Sequence, residues 1–370
     1  MAGVYIAWPF CAQKCTYCNF ASGVFPRELE PQYLLALCAE IGETEWPWKP
    51  ETVYLGGGTP GSMKPEDLRR VLAQVPGKPW LEATLEAAPG GLDRASVENW
   101  RECGIGRVSL GVQSFVEGEL RKTGRRHTAG GVAQDVALLR ECGIEEINID
   151  LIAGLPGQTE ESWRESLVWV ERLAPPHVSV YMLEIDGDSR LGNELMNGGS
   201  RYGARLVPHE DDVVTLYEEA VKRLDAMGLK RYEISNFALP GHESRHNLKY
   251  WRLEPYLGFG ADAHSLIGTL REQNAETAAD YVARWKSGES VHTELTTAVP
   301  HEERFFVGLR LMEGIAPTSD ERCRYAEQIA RLVDTGLLED TGERLRLTQR
   351  GVLVSNEVFQ EFIETSCQAS

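Results

Sequence analysis

The chain reads as an α/β protein. Its first half is a partial (β/α)6, TIM-like barrel and its end a small winged-helix-like α+β domain. Three observations predict this. Short β-branched runs alternate with amphipathic segments from Val4 to about Glu184, which is the signature of parallel βαβ units. Helix-capping residues punctuate that alternation. From Pro300 onward the pattern changes to helices around one strand pair. The expected divisions are residues 1–190 for the barrel, 191–299 for a connecting region and 300–370 for the C-terminal domain.

Six strands are expected, at Val4–Ile6, Thr52–Leu55, Leu81–Glu86, Arg107–Val112, Ile147–Ile152 and His177–Leu183. Between them, apolar residues recur at three- and four-residue spacing over Pro31–Ile41, Pro65–Val75, Asp93–Cys103, Thr128–Cys142 and Glu160–Leu173, which predicts helices. Asp93 and Thr159 are N-cap candidates, and Gly104 and Gly143 follow their helices as left-handed caps. In such barrels chemistry sits at the carboxyl ends of the strands, so the residues after each run are the ones to examine.

Composition bounds the function. The 370 residues suit two domains, or one large barrel with an appendage, and 42% apolar and 25% charged residues are ordinary for a globular chain. A net charge of −18 argues against nucleic acid or an anionic membrane as the main partner. The opening Met1-Ala-Gly-Val-Tyr-Ile lacks a basic and apolar leader, and no run approaches the roughly 18 apolar residues of a membrane span. A soluble cytoplasmic protein is the expectation. Cys38, Cys103, Cys142, Cys323 and Cys367 are scattered singly, as in a reducing compartment.

Cys11-Ala-Gln-Lys-Cys15-Thr-Tyr-Cys18 presents three soft ligands within eight residues, directly after the first strand. Thiolates select zinc, copper(I) or iron–sulfur clusters. A closed zinc site needs a fourth ligand, and no second Cys-x-x-Cys or His-x-x-x-His supplies it. The ferredoxin spacing does not fit either. A four-iron cluster with one iron free for a small molecule remains, against the plainer reading of a zinc knuckle.

After the second strand comes Gly56-Gly57-Gly58-Thr59-Pro60, where the backbone can approach a ligand with no Cβ in the way; a tight turn is the plain alternative. Strand three ends in Glu86-Ala-Ala-Pro89, strand four in Gln113-Ser114-Phe115, Gly124-Arg125-Arg126-His127 precedes the fourth helix, and strand five carries Asn148-Ile-Asp150. Two acids, an amide and a guanidinium on one rim can ion-pair a cation and hydrogen-bond a ribose and a carboxylate.

In this order, Tyr5-Ile-x-x-Pro-Phe-Cys11, Gly-Gly-Gly-Thr-Pro, Glu-x-x-Pro, Ser-Leu-Gly-Val-Gln-Ser, Gly-Arg-x-His and Asn-Ile-Asp-Leu-Ile-x-Gly-Leu-Pro-Gly-Gln-Thr resemble the oxygen-independent coproporphyrinogen III oxidase-like branch of the radical S-adenosylmethionine (SAM) superfamily. The resemblance covers most of the chain. It implies a [4Fe-4S] cluster on Cys11, Cys15 and Cys18, with S-adenosylmethionine contacted by Tyr5, Gly57, Gly58, Thr59, Glu86, Gln113, Arg125 and Asp150. The oxidases themselves carry a further cysteine two residues after the third and an N-terminal extension. Here Phe20 stands at that position and the chain starts shortly before Pro9-Phe-Cys. The match is closer to the HemW group, which implies binding of haem and its transfer to an acceptor protein. Ala7 and Trp8 stand where most relatives have His-Ile, and Ala88 where Asn or Asp is usual.

Beyond the barrel, the Gly- and Asn-rich Asp188–Val207 reads as a loop and His209–Met227 as a long amphipathic helix. Then follow Tyr232-Glu-Ile-Ser-Asn236, Arg245-His246-Asn247-Leu-Lys-Tyr250-Trp251 and Tyr256-Leu-Gly-Phe-Gly-Ala-Asp-Ala-His264. His246 among aromatics suits an axial haem ligand, with a hydrogen-bonded histidine in an aromatic cap as the alternative. The run His-Asn-x-x-Tyr-Trp resembles a haem-associated motif of the HemW group, which favours His246 over His264.

In the C-terminal domain the expected elements are helices at Glu302–Met312, Asp320–Thr335 and Gly351–Ile363, with a strand pair at Leu337–Leu338 and Arg344–Leu347. Eight arginines, no lysine and thirteen acids give this stretch a net charge of −5, so it reads as a cap or docking surface rather than a DNA-binding wing. Two functions compete. One is a haem-binding chaperone acting on an acceptor protein, with a dimer left open. The other is an enzyme in which reductive cleavage of the sulfonium starts radical chemistry on a porphyrinogen or another small molecule.

Overall fold

The structure, a computed structural model, describes residues 2–363. Cys367 and the end of the C-terminal domain lie outside the described residues. Six parallel strands run in sequence order: β1 (Gly3–Trp8), β2 (Thr52–Gly57), β3 (Glu82–Ala87), β4 (Arg107–Gln113), β5 (Glu146–Ala153) and β6 (His177–Met182). Intervening helices at Leu29–Glu43, Pro65–Leu72, Arg94–Cys103, Ala129–Glu141 and Glu160–Leu173 complete the partial barrel, each within a few residues of expectation. A further short helix, Glu117–Lys122, was not foreseen.

Local chemistry sets these boundaries. The Asp93 carboxylate accepts from Ser96 N (3.0 Å), and Gly104 closes that helix at φ 96°. Thr159 and Ser162 form a reciprocal capping box at the start of the helix Glu160–Leu173.

The strands alternate. Val4, Ile6, Val53, Leu55, Leu85, Val108, Leu110, Ile147, Ile149, Val178 and Val180 are wholly buried against the helices. Burial of such a side chain contributes about 1.5–3 kcal/mol. The intervening residues face the barrel lumen and are mostly polar, among them Thr52, Tyr54, Thr84, Glu86, Arg107, Ser109, Asn148, Asp150, His177 and Ser179. The lumen therefore differs from the packed apolar interior of a closed TIM barrel.

The stretch 191–299 is not a connector. It extends the same sheet on both sides, to twelve strands in all. β7 (Lys230–Arg231) and β8 (Asn236–Ala238) add beyond β6 in the order β6-β8-β7. β9 (Tyr256–Phe259) lies parallel to β1, and β10 (His264–Ile267), β11 (Leu270–Asn274) and β12 (His292–Thr297) follow antiparallel. The expected loop Asp188–Val207 contains a helix, Arg190–Met196, and a 3-10 segment, Arg201–Leu206.

The C-terminal unit has the expected order of helices, hairpin and helix, with β13 (Leu338–Asp340) paired to β14 (Leu345–Leu347). Its expected long helices are broken into shorter ones, the last into Gln349–Leu353 and Ser355–Gln360.

Candidate cluster and nucleotide site

The three thiols sit on a loop tied down along its length. Cys11 N donates to Gly23 O (2.8 Å), Thr16 N to Thr123 O (3.1 Å), Cys18 N to Cys15 O (3.4 Å) and Leu191 N to Thr16 O (2.7 Å). Burial raises the Cys11 thiol pKa, while hydrogen bonds from Thr59 and Ser22 oppose the rise. Beside Cys15, burial works against the Arg125 charge, but Tyr17 and Cys15 themselves hold the guanidinium protonated. Arg125 Nε donates to Tyr17 Oη (3.2 Å) and its Nη1 to Gly111 O (2.6 Å).

The Gly56–Thr59 turn meets this loop directly. Gly58 N donates to Trp8 O (2.8 Å) and Thr59 N to Phe10 O (3.0 Å). A Cβ on Gly58 would fall 2.7 Å from the Pro9 carbonyl carbon, and Gly57 adopts φ 101°. A Cβ on Gly56 would press on Tyr5, Tyr54 and Glu86, with the nearest atoms at 3.0 Å. The glycines expected to admit a ligand are thus required first by contacts within the protein.

Two carboxyl groups face inward, Glu86 near the end of β3 and Asp150 midway along β5. Burial first, and then the Asp150 charge, push Glu86 up to about 7, against hydrogen bonds from Tyr54 and Gly57 N. Tyr54 Oη donates to Glu86 Oε1 at 2.9 Å. Burial also raises Asp150, although Ser109 Oγ (2.9 Å) and Asn148 Nδ2 (2.7 Å) donate to it. Gln113 holds the unusual φ of 69°, and its buried Oε1 has no hydrogen-bond partner. A Cβ on Gly111 would meet Gln113 Nε2 at 3.2 Å and Arg125 Nη2 at 3.5 Å, so this glycine lets the two side chains converge.

The donor set fits the cofactors that the resemblance implies. Cys11, Cys15 and Cys18 are free thiols on one loop, and the charges of Cys18 and Cys15 act on Cys11. Two desolvated acids with raised pKa values complement a cation, and the orphaned Gln113 amide oxygen and the Arg125 guanidinium offer an acceptor and a donor. Tyr5, Gly57, Gly58, Thr59, Glu86, Gln113, Arg125 and Asp150 thus lie around one barrel mouth with the thiol loop.

His246 does not join them. It caps the amino end of the barrel, opposite the thiol loop, where a Cβ on Gly3 would come 3.2 Å from its ring. Both nitrogens are already bonded: Nδ1 to the Thr52 hydroxyl (2.9 Å) and Nε2 to the Tyr250 hydroxyl (2.8 Å). Burial, and then Lys249, lower its pKa to about 3, so the ring is neutral and enclosed. Ligation of haem iron by His246 would require one of these two hydrogen bonds to break. His264 is exposed, on the strand that follows the β9 turn, and makes no side-chain hydrogen bond among the described residues. Trp8, in place of the usual apolar residue, is buried against Phe10 and Tyr33, with ring centroids at 4.9 and 5.8 Å.

Sequence reasoning missed Tyr17, Tyr54, Ser109 and Asn148, which hold Arg125, Glu86 and Asp150 in place. The signal was present for three of them: Tyr54, Ser109 and Asn148 lie on alternate, lumen-facing positions of β2, β4 and β5, whereas Tyr17 lies in the cysteine loop.

Residues 5–170 match the model of the radical SAM superfamily, and residues 295–354 that of the HemN C-terminal domain. The chain is 33% identical to the haem chaperone HemW of Lactococcus lactis, over 97% of this chain and 96% of that one. Identity to the HemW of Bacillus subtilis is 34%, over 98% of this chain and 99% of the relative. The structure of Escherichia coli coproporphyrinogen III oxidase (HemN), a radical SAM enzyme, matches with a TM-score of 0.83 over 98% of this chain and 89% of its own, at 21% identity. That last likeness is one of fold. Identity above 30% along nearly the whole length makes this chain a member of the HemW family within the radical SAM superfamily.

Proposed function

We propose that this protein binds haem and passes it to an acceptor protein in the cytoplasm, on a scaffold that also carries a [4Fe-4S] cluster and S-adenosylmethionine. The observation that carries the reading is the full-length identity to proteins named haem chaperones. Cys11, Cys15 and Cys18 would hold the cluster, and Glu86, Asp150, Gln113 and Arg125 the nucleotide. When bound, the cluster would supply an electron and a metal site for the nucleotide. The chain's own contribution is a mouth with two inward-facing acids that favour a cation. Among the described residues no helix is long and apolar enough to cross a membrane.

Of the two histidines singled out in the sequence, His264 has the free ring and is the better candidate for haem iron. Reconstituted protein titrated anaerobically with haem should develop a stoichiometric Soret band, weakened in His264→Ala. The same protein with dithionite, S-adenosylmethionine and coproporphyrinogen III should form no protoporphyrinogen. Porphyrinogen turnover without haem binding would replace this reading with the oxidase.

A further inference from the structure

The helix Arg245–Trp251 carries the His-Asn-x-x-Tyr-Trp run, and it is built into the underside of the nucleotide site. Its first turn is clamped to β3: Glu82 accepts from Arg245 N and His246 N, both at 2.9 Å, and from Ser244 Oγ at 3.4 Å. Glu82 and Glu86 lie four residues apart on one strand and so on the same, lumen-facing side.

A second path joins the helix to the same carboxyl group. His246 is fixed between Thr52 and Tyr250, and its ring lies against Tyr54, with centroids 5.2 Å apart and planes at 29°. Tyr54 in turn donates to Glu86 Oε1 and stacks on Tyr5 at 6.1 Å. Gly3 and Gly56 leave the space for this column. A Cβ on Gly3 would press on His246 and Thr52, and one on Gly56 on Tyr5, Tyr54 and Glu86.

We propose that His246 and Tyr54 are positioning residues: through their stack and the Tyr54–Glu86 hydrogen bond, the His-Asn-x-x-Tyr-Trp helix sets the carboxylate that binds the sulfonium nucleotide, from the opposite end of the barrel. The motif then acts on nucleotide affinity. This rests on the assignment of Glu86 as a nucleotide contact, so the test separates the two.

The groups that face Glu86 are Tyr5, Tyr54, Asp150, Tyr181 and Tyr250. Burial and Asp150 already favour its neutral form, and the Tyr54 hydroxyl is the side-chain donor that opposes them. Without that donor the carboxylate forms only at higher pH.

Binding of S-adenosylmethionine to cluster-reconstituted full-length protein would be measured by calorimetry from pH 6 to 9, beside a haem titration. Glu86→Gln should weaken the nucleotide about ten-fold or more, the loss expected for a hydrogen bond to a charged group. Tyr54→Phe should weaken it about three- to ten-fold and move the pH midpoint of binding upward, which a merely structural defect would not do. His246→Ala should weaken the nucleotide similarly and leave the haem Soret band intact, while His246→Phe, which keeps the stack, should recover much of the affinity. Unchanged nucleotide binding in Tyr54→Phe and both His246 variants, with Glu86→Gln impaired, would overturn the proposal. So would loss of the haem band in His246→Phe at unaltered nucleotide affinity. Unchanged binding in Glu86→Gln would instead overturn the assignment of Glu86 itself.

Discussion

Cys15 lies on a half-exposed loop and is not among the residues of the hydrophobic core. On the proposed reading, replacing it removes a cluster ligand without opening a cavity. Cys15→Ala should therefore lose iron and sulfide on anaerobic reconstitution while its far-ultraviolet circular dichroism stays that of the parent. Global unfolding would mean that the cluster is structural. Glu40 makes the opposite case, a charge whose effect is on stability. It accepts from Gly260 N (2.8 Å), Asn274 Nδ2 (2.7 Å) and Tyr281 Oη, yet burial pushes its pKa from 4.5 up to about 7. The folded state holds this proton more tightly than the unfolded one, so between pH 4.5 and 7 the folded form binds the extra proton and stability falls as pH rises. The full cost, about 3 kcal/mol at most, applies above pH 7. Glu40→Gln should flatten the decline of Tm between pH 5 and 8, and an unaltered slope in calorimetric scans would show that Glu40 is charged at little cost.

At the scale of elements, what the sequence revealed was what neighbours in the chain decide. Asp93, Gly104, Thr159 and the helix after it sit where capping chemistry put them. Thr159→Ala, which removes the hydroxyl that receives Ser162 N at 3.2 Å, should cost about 1 kcal/mol in urea unfolding. No change would mean that the exposed cap is satisfied by water. Less legible were the elements that depend on distant partners. Nothing local in Tyr256–Phe259 says that it pairs with Gly3–Ile6, some 250 residues earlier in the chain. β12 is exposed along its whole length, and β7 has two residues, so neither carries a hydrophobic period. The partners of His246 were hidden for a related reason. A histidine amid aromatics has the same local sequence whether it meets iron or, as here, Thr52 and Tyr250 across the barrel floor. The polar lumen, by contrast, was readable as polar residues at every second position in parallel strands, a departure from the near-continuous apolar runs of sheets buried on both faces.

For the whole molecule, one connected core runs from Val4 to Phe362, so the C-terminal unit is no detachable appendage. Met312 N donates to Tyr232 O at 3.0 Å. Arg271 on β11 pairs with the buried Glu303 through two hydrogen bonds, at 2.8 and 2.6 Å. Arg310 lies over Trp251 at 4.5 Å and within 3.8 Å of Glu233, which is wholly buried. A chain ending at Val299 would lose every one of these partners. Glu233 would keep its bonds to Ser235 N and Asn236 but lose the cation that offsets burial, and an uncompensated buried charge costs on the order of 3–5 kcal/mol. That is a large share of the 5–15 kcal/mol that holds a typical protein folded. Residues 1–299 expressed alone should therefore aggregate or unfold without cooperativity. A soluble 1–299 fragment with a sharp calorimetric transition and full iron loading would show that the barrel and its sheet extension fold on their own. The C-terminal unit would then be a cap added to a finished scaffold, and the Arg310–Glu233 contact would be incidental to its stability.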